Sequence, residues 1–247
     1  MKILSLNLHC FKEEDRINKL DKIVKFIQDN DIDVCMFQEA SQEIESNLLC
    51  DDIKEGNNAY YIANKLGYNI YFHYIKHSFG YLEEGLAFVS KYPIENPNFK
   101  TISKTTNIND WFKRDVIKAN INGITFFNTH LGWDTCGETG LEQIDVMMKE
   151  INKTVGAIVL AGDMNFADNS NEINYLKKHL YSCSDLAKIN SSLNPTFHYD
   201  LDSNLKYDNQ MIDFIFLNKK IENIHYEIVF NKEEDYVSDH SGIFVIL

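Results

Sequence analysis

Proline and glycine are scarce in this chain, with 3 and 11 residues in 247. No stretch reads as a linker or low-complexity segment, and no repeat recurs at a period of roughly 20–50 residues. One domain over residues 1–247 is the expectation, a length that a single domain accommodates. Basic residues are also short, 24 against 37 acidic, for a formal charge of −13. Phosphate backbones are held chiefly by Lys and Arg, so this balance argues against a general nucleic-acid binder. The exclusion is weaker for an enzyme whose acidic residues hold a cation, because the ion reverses the local field. Lys12, Lys76, Lys91 and Lys104 are scattered and form no stripe. The five cysteines (Cys10, Cys35, Cys50, Cys136 and Cys183) are odd in number and contain no Cys-x-x-Cys pair. Reduced thiols in a cytoplasmic protein are expected, not a disulfide framework or a zinc site. The opening MKILSLNLHC lacks the pattern of a signal peptide. No apolar run approaches the ~20 residues of a membrane span. Oligomeric state is left open.

Apolar material is ample, with 44% hydrophobic residues, 13 Tyr and 16 Phe. Residues 2–8 alternate, Leu4, Leu6 and Leu8 on one side and Ile3, Ser5 and Asn7 on the other, as in a strand. Ile17, Leu20, Val24 and Ile27 then recur at helical spacing, with Asp15 as the candidate cap. Asp33 to Phe37 is a short apolar strand running into Gln38-Glu39. Further strands are expected at Tyr68–Tyr74, Gly85–Ser90, Asp115–Ile121, Thr125–His130, Ala157–Ala161, Met211–Leu217, Tyr226–Phe230 and Ile243–Leu247. Helices are expected at Ala59–Leu66 and Leu141–Ile151, with one or two more in 171–188. Strand-helix-strand openings combined with adjacent hairpins predict an α/β fold: two mixed sheets packed face to face, with helices outside.

Polar residues recur at the strand ends: Asn7, Glu39, His130, Asp163, Asn165 and Asp239-His240. Rigid sheets fix side chains there, and ligand sites favour such places. Each residue has a plainer reading. Asn7 could bond within the core, Glu39 could start a helix, and Gly162 to Asn165 could be only a turn. His130 and His240 could be satisfied core histidines. As a set they suit chemistry better. Asn7, Glu39 and Asp239 offer the hard oxygens that Mg²⁺ takes. Asp163 is a candidate base or water-positioner, and Asn165, His130 and His240 are donors for phosphate oxygens. Asp213 lies inside the apolar run Met-Ile-Asp-Phe-Ile-Phe, where a carboxylate needs a partner. His240 is the natural one, with Asp213 fixing its tautomer and supporting its charge. Arg114 either reads a substrate phosphate or sits solvated at a strand start, the second being favoured. Trp111 and Trp133 either line a sugar or base pocket or plug the core.

The segments LSLNLHC, FQEASQ, EEGLAFVSKYPI, FFNTHLGW, LAGDMNF, MIDFIF and VSDHSG resemble, in order, the motifs of the endonuclease/exonuclease/phosphatase (DNase I-like) superfamily. The resemblance spans nearly the whole chain. It implies a four-layer αββα sandwich with the cleft at one end of the two sheets. It also implies a metal-dependent phosphoric ester hydrolase. Asn7, Glu39 and Asp239 would hold Mg²⁺, with Mn²⁺ able to substitute. Asp163 would activate water, Asn165 and His130 would bind phosphoryl oxygens, and His240, backed by Asp213, would stabilise developing charge. Wider stretches (MKILSLNLHCFKEE, GYLEEGLAFVSKYPI, WFKRD, NTHLGWD) resemble a bacterial branch that includes maltose 6′-phosphate phosphatase. This chain departs from that branch at Asn7-Leu8-His9, where the branch reads Asn-Cys-His.

Four functions compete. A small phosphorylated substrate such as a sugar phosphate is favoured, with Arg114 and Trp133 as candidate substrate contacts. A nuclease would need a basic groove, and nucleic acid stays possible as a substrate. A sphingomyelinase would need an apolar membrane-contacting hairpin, and none is evident. A catalytically dead binding module would have lost at least one motif residue, and all seven ligand and catalytic positions are present, as is Asp213.

Overall fold

The computed structural model describes residues 1–10, 12–134, 137–198 and 210–247; Cys136 lies outside them. In chain order the strands are β1 (Lys2–Asn7), β2 (Val34–Glu43), β3 (Leu48–Cys50), β4 (Ile53–Lys54), β5 (Asn69–Ser78), β6 (Leu82–Ser90), β7 (Ile94–Thr101), β8 (Asp115–Ile121), β9 (Ile124–His130), β10 (Ala157–Asp163), β11 (Tyr181–Ser182), β12 (Asp213–Leu217), β13 (His225–Val229) and β14 (Gly242–Ile246). The helices are α1 (Arg16–Asn30), α2 (Asn58–Leu66), α3 (Gly140–Ile151), α4 (Asn171–Lys177) and α5 (Cys183–Leu186). Two six-stranded sheets form, in the orders β13-β14-β1-β2-β6-β5 and β11-β12-β10-β9-β8-β7. Each has one parallel pair at its centre, β1 with β2 and β9 with β10, and antiparallel neighbours around it.

The alternation read in β1 is used on both faces. Leu4 and Leu6 pack outward with Ile23, Val24 and Ile27 of α1 and Ile62 of α2. Ile3 faces inward and shares a cluster with Phe88, Val116 and Phe126 from both sheets. Ile144, Met147, Met148 and Ile151 of α3 join that cluster from the far side of the second sheet. The result is the four-layer α/β sandwich. Helix α3 starts at a capping box: Glu142 N–H donates to Thr139 Oγ1, and Thr139 N–H donates to the Glu142 carboxylate. Asp15, expected to cap α1, stands at the right position with φ 55° but caps nothing with its side chain. Its carboxylate instead accepts from the Asn18 amide.

Four strands were not expected: β3, β4, β7 and β11, the last inside a segment read as helical. Strand β7 pairs with β8 at the sheet edge and its register slips between Glu95 and Asn98. It is largely exposed, polar and holds Pro97, so it lacks the apolar alternation that reveals a strand. The short hairpin of β3 and β4 carries an exposed strand of three residues. Among the described residues the free cysteines are Cys10, Cys35, Cys50 and Cys183. No described helix is long and apolar enough to cross a membrane.

One end of the sandwich collects the polar residues, and the topology dictates this. Strands β9 and β10 run parallel, so His130 and Asp163 end side by side, in register. Strand β12 runs antiparallel to β10, so its first residue, Asp213, pairs with Asp163. Likewise β1 and β2 deliver Asn7 and Gln38 together, and the antiparallel β14 starts just after Asp239-His240. Gly162 is required here: at φ 150°, a Cβ would lie 1.9 Å from the Thr129 carbonyl oxygen of β9.

Candidate active site

Asp163 sits at the centre of a ring of donors. Its Oδ2 accepts from Asn7 Nδ2 at 3.1 Å and lies 3.5 Å from His130 Nε2 and 3.6 Å from His240 Nε2. Its Oδ1 accepts from the Asn165 backbone N–H at 2.9 Å, which closes the turn after β10. Asn7 Nδ2 also donates to Glu39 Oε1 at 3.1 Å, and Asn7 Oδ1 accepts from the His9 N–H at 2.9 Å. Glu39 lies in a β-bulge between Phe37 and Ala40 with φ 48°. A bulge re-aims a side chain, and here it turns Glu39 to the end of the sheets. His9, Cys10 and Asn165 also have positive φ, at 49°, 52° and 55°. Non-glycine residues in this region cost energy and cluster at functional sites.

Asp213 is buried, and its Oδ2 lies 2.9 Å from His240 Nδ1. A carboxylate only accepts, so Nδ1 carries the proton and Nε2 faces Asp163. Burial alone would lower the pKa of His240, but the Asp213, Asp163 and Asp239 carboxylates raise it well above 6.5. Burial pushes Asp163 up to about 7, with Asp213 adding and His240 opposing. His130 goes the other way: burial, with Arg114, Lys76 and His240 nearby, holds it well below 6.5 and neutral. The ring thus contains one imidazolium, one neutral imidazole and one carboxyl group that titrates near neutrality. Such separation of neighbouring pKa values is how acid and base roles are assigned.

The donor set fits a divalent cation. Burial, together with Glu84 and Asp239, raises the pKa of Glu39, and its hydrogen bonds come from the uncharged Asn7 amide and Cys10 thiol. A cation would relieve that repulsion. Among the described residues, three groups of side chains have ligand atoms within 4.8 Å of one another: His9, Glu13 and Asp239; Cys10, Glu39 and Glu84; and Asp163, Asp213 and His240. Asn7 presents its amide nitrogen to Glu39, so its oxygen is turned to the His9 N–H. Asn165 gives its amide nitrogen to the Leu131 carbonyl at 2.7 Å and so braces the loop after β9.

Arg114 is not solvated at the strand start. It is 2% exposed, with Nη1 bonded to the Trp111 and Lys113 carbonyls and a buried Nε that has no hydrogen-bond partner. Trp111 does not plug the core, being 41% exposed, and Trp133 is 46% exposed just after β9. Lys76 and Glu84 join the site from the neighbouring strands β5 and β6. Both are buried, 3.3 Å apart, and Glu84 lies 4.0 Å from His130 Nδ1. Nothing in a lysine within an exposed-looking strand of mixed polarity signals this. Sequence pattern does not mark His9, Cys10 and Glu13 either, although His9 lies two residues from Asn7.

The family model described as Endonuclease/Exonuclease/phosphatase family matches residues 4–240. The chain belongs to this family. It is an enzyme of the phosphoric ester hydrolase class that the family comprises. No curated protein matches it in sequence. Among solved structures, an endonuclease/exonuclease/phosphatase family protein from Leptotrichia buccalis C-1013-b superposes with TM-score 0.87 at 24% identity, covering 100% of this chain and 98% of that one. A mannosyl-6-phosphatase from Bacteroides thetaiotaomicron VPI-5482 gives 0.70 at 18%, covering 100% and 98%. An AP endonuclease from Archaeoglobus fulgidus gives 0.65 at 18%, covering 100% and 99%. At these identities the likeness establishes the DNase I-like fold.

Proposed function

We propose that this family member hydrolyses the phosphate ester of a small metabolite, a sugar phosphate being the favoured class. Residues 1–247 act in this reading as one catalytic unit in the cytoplasm. The observation that carries it is the position of Asp163, within 3.6 Å of Asn7, His130 and His240 side-chain nitrogens. Asn7, Glu39 and Asp239 would hold the divalent cation. Their oxygens favour Mg²⁺, with Mn²⁺ able to substitute. When bound, the cation supplies Lewis-acid polarisation of a phosphoryl oxygen and a template for in-line attack. Asp163 takes the proton of the attacking water on Oδ2. His240, held protonated by Asp213, donates from Nε2 to the charge that develops in the transition state. Neutral His130 donates to a phosphoryl oxygen, and Asn165 holds the turn that presents Asp163.

The surroundings support a phosphorylated ring. Phe79 and Trp111 stand half-exposed, edge to face at 5.9 Å. Lys12 lies 4.0 Å over Phe79 and Lys76 lies 4.8 Å over Trp111. Lys76 ties this shelf to Glu84 and so to His130. An apolar face rimmed by cations suits a sugar ring bearing phosphate, and the buried Arg114 offers a further cation behind it. The overall charge of −13 disfavours a polyanion.

The test is a panel of sugar phosphates, nucleotides, single-stranded, duplex and abasic DNA, and sphingomyelin, assayed with Mg²⁺ and Mn²⁺ at matched low salt. The expected result is the highest kcat/KM on a sugar phosphate. If any DNA is turned over about ten times more efficiently than every small ester, at the salt where nucleic acid binds best, the nuclease reading replaces this one.

A further inference from the structure

We propose that His9 is itself a metal ligand, adding a nitrogen donor that raises the centre's affinity for first-row transition ions beyond what the oxygens of Asn7, Glu39 and Asp239 give. This rests on the reading of Asp239 as a ligand and names the class of ion that reading leaves open. The chain leaves β1 at Asn7, and Leu8 N–H still bonds to the Gln38 carbonyl at 2.9 Å. It then turns sharply through left-handed conformations at His9 and Cys10. That turn, braced by His9 N–H on Asn7 Oδ1, brings the imidazole over the end of the sheet. Nδ1 lies 2.5 Å from Glu13 Oε1, and the Lys19 ammonium holds the other Glu13 oxygen in place. With Nδ1 turned to Glu13, Nε2 is the ring nitrogen left to meet an ion.

His9 Nε2 and Asp239 Oδ2 lie 3.5 Å apart. They are spaced as two ligands of one ion: with ligand distances of about 2.1 Å, a 3.5 Å separation subtends roughly 110° at the metal. A carboxylate behind the far ring nitrogen is the arrangement by which metal-bound histidines are oriented. Glu39 is tied to the same turn, since its Oε1 accepts from Asn7 Nδ2 while Asn7 Oδ1 accepts from the His9 N–H. Mg²⁺ wants oxygen and dehydrates reluctantly, whereas imidazole favours the transition ions.

The rival arrangement is a doubly protonated His9 bridging Glu13 and Asp239 as an ion pair. The two make opposite forecasts. If His9 is a ligand, removing it weakens transition-ion binding. If it is a bridging cation, removing it strengthens binding of every divalent ion. The experiment is calorimetric titration of the full-length, metal-free protein with Co²⁺ and with Mg²⁺, for the wild type, His9→Ala, His9→Gln, Glu13→Gln and Asp239→Asn. The expected result is a Co²⁺ affinity loss of roughly 10–100-fold in His9→Ala, with Mg²⁺ affinity nearly unchanged. Glu13→Gln should show a smaller loss, and Asp239→Asn should weaken both ions. Nitrogen hyperfine coupling in pulsed EPR of the Mn²⁺-loaded wild type should appear and vanish in His9→Gln, which serves should the alanine variant not fold. Unchanged or tighter Co²⁺ binding in folded His9 variants, or no such coupling in the wild type, overturns the assignment of His9. Failure of the wild type to bind any divalent ion overturns the metal reading as a whole.

Discussion

Asp213→Asn should move the whole pH–rate profile to lower pH. Asp213 Oδ2 is 2.9 Å from His240 Nδ1, while Asp163 Oδ2 is 3.6 Å from Nε2. At an effective dielectric of about 20, those distances correspond to gross attractions of about 6 and about 5 kcal/mol on the imidazolium. Removing Asp213 takes away the larger share but leaves Asp163, so His240 keeps part of its raised pKa. The same carboxylate also pushes Asp163 upward, so Asp163 falls from its value of about 7 when Asp213 is neutralised. The signs then combine. Asp163 works unprotonated and sets the acid limb, which moves down. His240 works protonated and sets the alkaline limb, which also moves down. At the wild-type optimum the variant should lose about 10–100-fold in kcat/KM, as expected of acid–base support. His240→Ala should lose at least about 100-fold at every pH. The assay is kcat/KM between about pH 5 and pH 9 at saturating metal, with circular dichroism to confirm folding. A profile that falls without moving refutes the electrostatic role of Asp213. Equal damage from Asp213→Asn and His240→Ala in folded proteins refutes it as well.

Chelation should abolish turnover, and saturating divalent ion should raise the melting temperature, by about 2.7 kcal/mol of stability when the ion is at 100 times its Kd. Full activity in a chelated sample, or no thermal shift on adding Mg²⁺, Mn²⁺ or Co²⁺, would contradict the ligand set. Gly162→Ala should cost upward of about 3 kcal/mol, because its Cβ would fall 1.9 Å from the Thr129 carbonyl oxygen; a melting temperature within a few degrees of wild type would show the strand gap to be softer than drawn. Asn128→Ala should cost about 2–4 kcal/mol in urea unfolding, because Asn128 donates to the Phe37 and Ala87 carbonyls and accepts from Gln38. A cost below about 1 kcal/mol would mean that water or relaxation satisfies those groups.

Much of this arrangement was legible because strand and helix periods are local. The alternation in β1 and the spacing of Leu20, Val24 and Ile27 reported buried faces directly. Asp213 announced itself as a charge inside an apolar run, and His240 stands beside it. What could not be read depends on contacts between distant residues. Strand β7 escaped because an edge strand with Pro97 has little apolar pattern to show. Arg114 looked solvated because its burial is imposed by the carbonyls of Trp111 and Lys113 and by the loop at Gly132, none of which periodicity reports. Lys76 and Glu84 are ordinary residues of two antiparallel strands, and only the pairing of Lys76 with Glu84 places them together. His9 owes its position to a left-handed turn, a conformation that sequence pattern does not reveal for a histidine.

The two sheets also divide the labour of the site. Asn7, Glu39 and Asp239, the proposed ion ligands, belong to the first sheet or to the segment leading into it. His130, Asp163 and Asp213 belong to the second. His240 follows Asp239 in the chain yet bonds to Asp213, and Asn7 bonds to Asp163, so these two side chains tie the proposed ion-binding half of the site to the proposed proton-transfer half. Asn128 makes the corresponding link deeper in the core, from β9 to the carbonyls of β2 and β6. The spacing between the proposed ligands and Asp163 is therefore set by sheet-to-sheet packing, which close-packed interiors hold within narrow limits. The left-handed residues His9, Cys10 and Asn165 lie just past the ends of these strands and Glu39 at the bulge within β2, where the backbone departs from regular sheet geometry. Each such residue costs on the order of 1–3 kcal/mol and persists because the sheets over-determine its position. Chemistry at the rim is thus supported by a core whose stability offsets the strain of aiming it.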